Sequence, residues 1–248
     1  MTFALVWFII KLNQHPIMKL LNSGNTKTRK GEKLGYITYG MHLAPEKLSG
    51  YNVCANASKG CARACLNTAG RGAMSNVQEA RIAKTRLFFK DRQKFLDQLW
   101  KETEAGIKSA LRKSMTPCFR LNLTSDLPWH LIKNAGETIL QAFDSVQFYD
   151  YTPDPSRFSS FLAGELPLNY HLTFSRKEDN QNVCDLLMAD GGNIAAVFRN
   201  ALPSKWQGRK VVDGDETDLR FLDPTGVIVG LVEKGKAKKD DTGFVISA

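Results

Sequence analysis

No stretch of this sequence is apolar for long enough to cross a bilayer. The apolar run Phe3–Ile10 has eight residues, against about 20 for a spanning helix. No basic residue precedes it, so the form of a secretory signal is missing as well. Three catalytic signatures are also absent: there is no G-x-x-x-x-G-K-[ST], no H-E-x-x-H and no G-x-S-x-G. P-loop, zincin and α/β-hydrolase chemistry therefore lack their working parts. Cysteine is scarce, with five residues, and the count is odd. An odd set with three members crowded together argues against a secreted disulfide framework and for a reducing cytoplasm.

What is present suits one large domain. The 248 residues are 43% hydrophobic and 24% charged, enough for a sizeable core without disulfide staples. Residues 1–17 are expected to be an upstream extension, with Met18 the natural start; the alternative is a short hydrophobic element packed on the body. Residues 18–248 are expected to form the domain. Its net charge of +9 is uneven: residues 18–113 carry 19 Lys and Arg against 7 Asp and Glu, whereas residues 114–248 carry 14 against 18. The basic half is a candidate anion-facing surface, and Lys27, Arg29, Lys30 and Lys33 form a cationic arm suited to phosphates. No RNP, KH, zinc-finger or helix-turn-helix signature accompanies it.

The chain reads as alternating strand and helix. Residues 36–41 form a strand candidate, followed by a Gly- and Asn-rich loop over residues 49–72. Ser75 and Gln78 suggest a capping box, and the apolar stripe beyond it predicts a long helix to Lys113, the alternative being two helices broken near Gly106. Further strands are expected over 119–124, 146–151, 170–174, 194–198, 210–212 and 227–231, with helices over 129–143, 155–162 and 178–188. Near-continuous apolar strands joined by crossovers imply a parallel sheet, and the expected architecture is α/β, a complete or partial TIM-like (β/α) barrel. Each run ends in a polar tip, and barrels gather such tips at one mouth. Asp126, Asp150, Arg176 and Arg199 are the candidate catalytic residues there, and Ser125, Thr152, Ser175 and Asp215 are candidate cofactor contacts.

The most specific feature is Cys54-x6-Cys61-x3-Cys65 in a polar loop. Three thiolates are one short of a closed zinc site, and the six-residue gap exceeds zinc-knuckle spacing. A cubane iron–sulfur cluster takes thiolates from a flexible loop at several spacings, and three ligands leave one iron open. His42 would complete a Cys3His zinc site, the principal metal alternative. Cys118 and Cys184 stand alone and read as buried, inert thiols.

This array, together with Phe119-Arg-Leu-Asn-Leu-Thr-Ser-Asp126 and Phe148-Tyr-Asp-Tyr-Thr152, resembles the bacteriophage family named after a mycobacteriophage gene product, number eighty-eight. The resemblance covers roughly residues 25–243 and implies a phage-encoded iron–sulfur protein of the host cytoplasm. More distantly, the chain resembles the radical S-adenosylmethionine enzymes, which carry a three-cysteine loop after the first strand of a partial barrel. Their usual loop is C-x3-C-x2-C, from which this one departs. Gly226-Val-Ile-Val-Gly-Leu-Val-Glu233 is similar to the GxIxGxxE pattern those enzymes use beside adenine. That resemblance implies a [4Fe–4S] cluster on Cys54, Cys61 and Cys65, with S-adenosylmethionine at the open iron, a small-molecule substrate and an electron donor. The readings from another class are a non-catalytic electron carrier and a nucleic-acid-binding module acting through the basic half.

Overall fold

The computed structural model describes residues 18–24 and 26–247. The expectation for residues 1–17 lies outside them. In chain order the first elements are β1 (Leu21–Asn22), the short helix α1 (Thr26–Arg29) running into a 3-10 turn over Lys30–Leu34, and β2 (Tyr36–Met41). The long loop after β2 contains α2 (Lys59–Ala64) and leads to α3 (Ser75–Lys90) and α4 (Arg92–Leu111). Then come β3 (Thr116–Arg120), a hairpin of β4 (Lys133–Asn134) and β5 (Glu137–Thr138), α5 (Ile139–Ala142) and β6 (Gln147–Thr152). The chain continues through α6 (Pro155–Leu162), β7 (Tyr170–Ser175), α7 (Gln181–Ala189), β8 (Ile194–Phe198), β9 (Lys205–Trp206) and β10 (Arg209–Asp213). It ends with β11 (Ile228–Val232) and β12 (Val245–Ile246).

The main sheet runs in the order β1-β2-β3-β6-β7-β8-β11-β10-β9. From β2 to β10 every neighbouring pair is parallel, while β1 and β9 pair antiparallel at the two ends. The fold is thus mixed α/β with a mostly parallel sheet. The sheet does not close, so a complete barrel is not formed. Strands β1 and β9 each bond a single neighbour, and the chain after β10 turns across the sheet instead of extending it. There Phe221 packs edge-on against Tyr36 and Tyr149, each at 5.4 Å between ring centroids, and Leu219 joins buried Cys118 and Tyr149.

Period-two alternation assigns the strand side chains to two faces. Ile37, Tyr39, Phe119, Phe148 and Phe174 belong to the main core under the helices. A methyl at Gly106 of α4 would lie 3.3 Å from the Phe119 ring and 3.4 Å from Tyr39. Gly106 therefore permits close helix–sheet packing and does not break the helix. The break falls at Asp91, whose carboxylate caps α4 by accepting from the Lys94 N–H at 3.2 Å. The capping box at Ser75 is not formed either. Met74, which has no capping oxygen, occupies the cap position, and Gln78 reaches for the Asn67 and Gly72 carbonyls.

Two further expectations are corrected. In place of a helix over 129–143 there is the β4–β5 hairpin, turned by Ala135 and Gly136 at positive φ, and then a single helical turn with a real capping box at Thr138 and Gln141. The strand expected over 119–124 lies at Thr116–Arg120, since Asn122 leaves the ladder to bond Asp150.

Candidate functional site

The cysteine loop lies across the C-terminal ends of the parallel strands. Its Val53 carbonyl accepts from the Asp126 N–H at 2.8 Å, just past β3. Its Asn56 carbonyl accepts from Lys177 Nζ at 2.9 Å, just past β7. Glu178 takes the Ser58 hydroxyl at 2.7 Å and the Gly60 N–H at 2.7 Å. A methyl at Gly60 would stand 2.6 Å from Glu178 Oε2, so glycine is required there for close approach. Ser58 caps α2 by accepting from the Cys61 N–H at 3.1 Å. The helix ends at Cys65, which keeps Cys61 and Cys65 one turn apart. Helix α3 supports the far side of the loop, where Gln78 and Asn67 exchange bonds and Arg81 donates to the Asn67 side chain.

Because Glu178 is the main tether between loop and sheet, Glu178→Ala is expected to cost about 1–3 kcal/mol through the Ser58 and Gly60 donors it strands. It should also speed amide hydrogen exchange over residues 58–62 specifically. Exchange as slow as in the wild type would show that the tether is dispensable.

The three thiols are half-buried and unpaired by disulfides. Burial pushes the Cys54 thiol up to about 11, with the charge of Cys65 adding to it. Burial pushes Cys61 up to about 12, followed by the charges of Cys65 and Cys54. Cys65 is raised by burial as well, partly offset by the Asn67 N–H and by Arg81. The three thus stand within one another's electrostatic reach, and a bound cation would be needed to hold them as thiolates at neutral pH. Cys118 lies apart, beside the Thr38 hydroxyl at 3.2 Å, and Cys184 is buried on α7. Among the described residues, no three His, Cys, Asp or Glu side chains are gathered closely enough to hold a single metal ion.

The other candidate residues fall into three separate places. Asp126, Asp150, Ser125 and Thr152 share a buried network beneath the loop. Asp126 accepts from Arg157 at 2.6 Å, Asp150 accepts from the Asn122 N–H at 2.8 Å and from the Tyr170 hydroxyl at 3.1 Å, and Ser125 donates to Asn122 Oδ1 at 2.8 Å. Thr152 Oγ1 takes the Asp154 N–H at 3.1 Å. Burial pushes Asp126 up to about 6 against the pull of Arg157, and Asp150 up to about 7 against that of Arg120.

Arg176 and Arg199 belong to a second place. Strand β12 inserts beside β8 where the pairing of β7 with β8 ends. Arg176 donates to the Gly243 and Phe244 carbonyls, and Arg199 to those of Lys238 and Asp240. Both guanidinium groups thereby hold the C-terminal segment in that fork. Ser175 lies at its base, its carbonyl taking the Asn180 amide at 3.0 Å. Asp215 is in a third place, beyond β10, where it pairs with Lys234 at 2.6 Å.

A polar group on the opposite sheet face was not foreseen. Arg120 forks onto both oxygens of Asp218 at 3.0 and 2.9 Å, Lys27 reaches the same carboxylate at 3.2 Å, and the Arg120 guanidinium lies 4.4 Å above the Tyr151 ring. Tyr151 and Thr173 are register partners on β6 and β7, and both hydroxyls are buried with no partner among the described residues. The signal in the sequence was strand alternation: Arg120 and Tyr151 occupy the face opposite the Phe119 and Phe148 core positions.

His42, at the end of β2, has Nδ1 3.4 Å from the Thr124 hydroxyl. Its pKa is pushed down to about 3, first by burial and then by the charges of Arg81, Arg120 and Lys84. An unfolded chain protonates it near 6.5, so the stability it contributes is present above about pH 6.5 and is lost as pH falls toward 3. Asp126 and Asp150 act in the opposite sense, favouring the fold at low pH and losing that contribution as pH rises through 6 to 7. The two tendencies oppose each other in the wild type, so the His42 effect is best read as a difference. The stability of wild type minus that of His42→Gln, from urea midpoints at pH 7, 5.5 and 4.5, should fall by about 1.4 kcal/mol per pH unit below 6.5. A pH-independent difference would show that His42 is not held neutral.

An open, mostly parallel α/β sheet capped at its strand ends by a three-cysteine loop defines the class of protein. Residues 18–248 match the family model described as Gene product 88, and the chain belongs to that family. No curated protein and no solved structure matches it. No helix among the described residues is long and apolar enough to cross a membrane.

Proposed function

We propose that this chain is a phage-type iron–sulfur protein in which Cys54, Cys61 and Cys65 hold a site-differentiated [4Fe–4S] cluster, and that it works as a radical-S-adenosylmethionine-like enzyme on a partial (β/α) barrel. The observation that carries the reading is that three half-buried free thiols share one loop, which is tied across the strand ends of β3 and β7. When bound, such a cluster supplies one-electron chemistry and an open iron for a ligand.

The residues of the chain have separate tasks in this reading. Glu178, Lys177 and the Asp126 N–H fix the loop over the sheet. The Asp126–Arg157 and Asp150–Tyr170 pairs stiffen the strand ends beneath it. The unpartnered hydroxyls of Tyr151 and Thr173 would hydrogen-bond a small-molecule substrate on the opposite face. Glu233, the last residue of the Gly226–Glu233 pattern, takes the Asn200 N–H at 2.9 Å and so shapes the loop after β8.

The test is anaerobic purification followed by absorption and electron paramagnetic resonance after dithionite, with and without S-adenosylmethionine. A cluster signal that shifts on adding S-adenosylmethionine supports the enzyme reading; a cluster signal indifferent to it supports an electron carrier. The second metal reading is Cys3His zinc, which would need His42 and the three thiols to close up, since as they stand no three such side chains among the described residues gather on one ion. Stoichiometric zinc without iron would establish it.

A further inference from the structure

We infer that the cavity between the N-terminal helix, the end of the cysteine loop and the segments after β10 and β11 binds a small, multiply charged phosphate ligand. It has a volume of about 480 Å³, and its wall carries Lys27, Lys30, Lys234 and Lys238 against one carboxylate, Asp215. Pockets of this size suit a nucleotide-sized molecule. The pair Lys27 and Lys30 and the pair Lys234 and Lys238 are far apart in sequence and meet only through the fold. Lys30 donates to the Asp215 carbonyl at 2.6 Å, and Lys27 is drawn in by buried Asp218 at 3.2 Å. Lys234 pairs with the Asp215 side chain at 2.6 Å.

The floor is a close backbone contact. Gly235, at φ +58°, would place a methyl 3.0 Å from Ala69 Cβ and 3.2 Å from the Thr68 carbonyl. This contact joins the cysteine loop to the lysine segment after β11. Burial alone would raise the Asp215 pKa, yet the Lys234 bond and the charges of Lys27 and Lys234 hold it below the usual carboxylate range, as expected in a net positive cavity.

The chemistry of the wall selects the ligand. Lysine is a compact point charge that meets phosphate oxygens from any direction, and four of them on one wall favour an anion that carries several charges. All four cations of the wall are lysines, and Arg29 and Lys33 of the same N-terminal segment stay outside it. The pocket and the rest of the basic arm can therefore be tested apart, and the inference does not depend on the cluster.

The experiment is calorimetric titration of tripolyphosphate into the full chain at about 50 and 300 mM salt. One saturable site is expected, weakened several-fold at the higher salt. The Lys30→Ala/Lys234→Ala variant should bind at least about tenfold more weakly, and Arg29→Ala/Lys33→Ala, which removes the same charge, less than about twofold. Should the first variant fail to fold, exposed Lys238→Ala decides, with an expected loss of about threefold. Absence of saturable binding, or equal losses in the two double variants, would overturn the inference. Tighter binding of a single-stranded oligonucleotide that depends equally on Arg29 and Lys33 would also overturn it, in favour of a nucleic-acid surface.

Discussion

Serine at any one of positions 54, 61 or 65 is expected to empty the reconstituted protein of iron, whereas serine at 118 or 184 should leave the iron content within about a fifth of wild type. The contrast follows from location. Cys54, Cys61 and Cys65 are half-buried in one loop, where burial and then the charge of Cys65 raise the pKa values of Cys54 and Cys61. Cys118 is sealed beneath Leu219 and Tyr149, and Cys184 is buried on α7 beside Asn180. Two lone buried thiols are packing groups, so Cys118→Ser and Cys184→Ser should lower stability without touching the metal. Iron counts by inductively coupled plasma spectrometry on the five variants decide the matter. Equal loss from Cys184→Ser would dissolve the distinction.

Asp218→Ala is expected to destabilise the fold by about 3–5 kcal/mol, because it strands a buried Arg120 that now has both oxygens of one carboxylate. Asp218 is 1% exposed, and Arg120 and Lys27 hold its pKa down against the burial that would raise it. Its stabilising contribution is therefore present above the unfolded aspartate pKa near 3.9 and is lost as pH falls through the lower folded value. A change in the urea midpoint at pH 7 with the slope unaltered would report the effect cleanly. The paired variant Arg120→Met/Asp218→Leu should recover most of the loss, since apolar replacement of both partners is often near neutral. A single-variant loss below about 1 kcal/mol would mean that water replaces the carboxylate and the face is open.

Legibility followed the range of the forces involved. Strands β6, β7 and β8 were plain in the sequence because β-branched and aromatic runs recur at 24-residue spacing there, and the observed ladders begin within a residue of the expected positions. Local signals misled where a side chain had a stronger distant partner. Gln78 left its cap for the cysteine loop, and Asn122 left its strand for Asp150. At Gly106 the demand was for contact with Phe119, invisible without the sheet. The hairpin over residues 133–138 was masked by apolar residues on either side, although Asn134-Ala-Gly136 is a turn sequence.

The site divided in the same way. The three cysteines fall in one loop because their spacing is local. The roles of Arg176 and Arg199 were not legible, since they are defined by β12, a segment some 45 to 70 residues downstream that enters the fork between β7 and β8. Likewise the lysines over 234–239 form a local run, and only the fold sets Lys234 and Lys238 opposite Lys27 and Lys30.

The most direct test of the central claim is Mössbauer spectroscopy of the protein reconstituted anaerobically with iron-57 and sulfide, alongside iron and sulfide assays. The account predicts about four irons and four sulfides per chain, with one iron distinguishable from the other three because no cysteine of the loop is left to bind it. A single mononuclear metal, or iron that binds equally well when all three loop cysteines are serine, would contradict it.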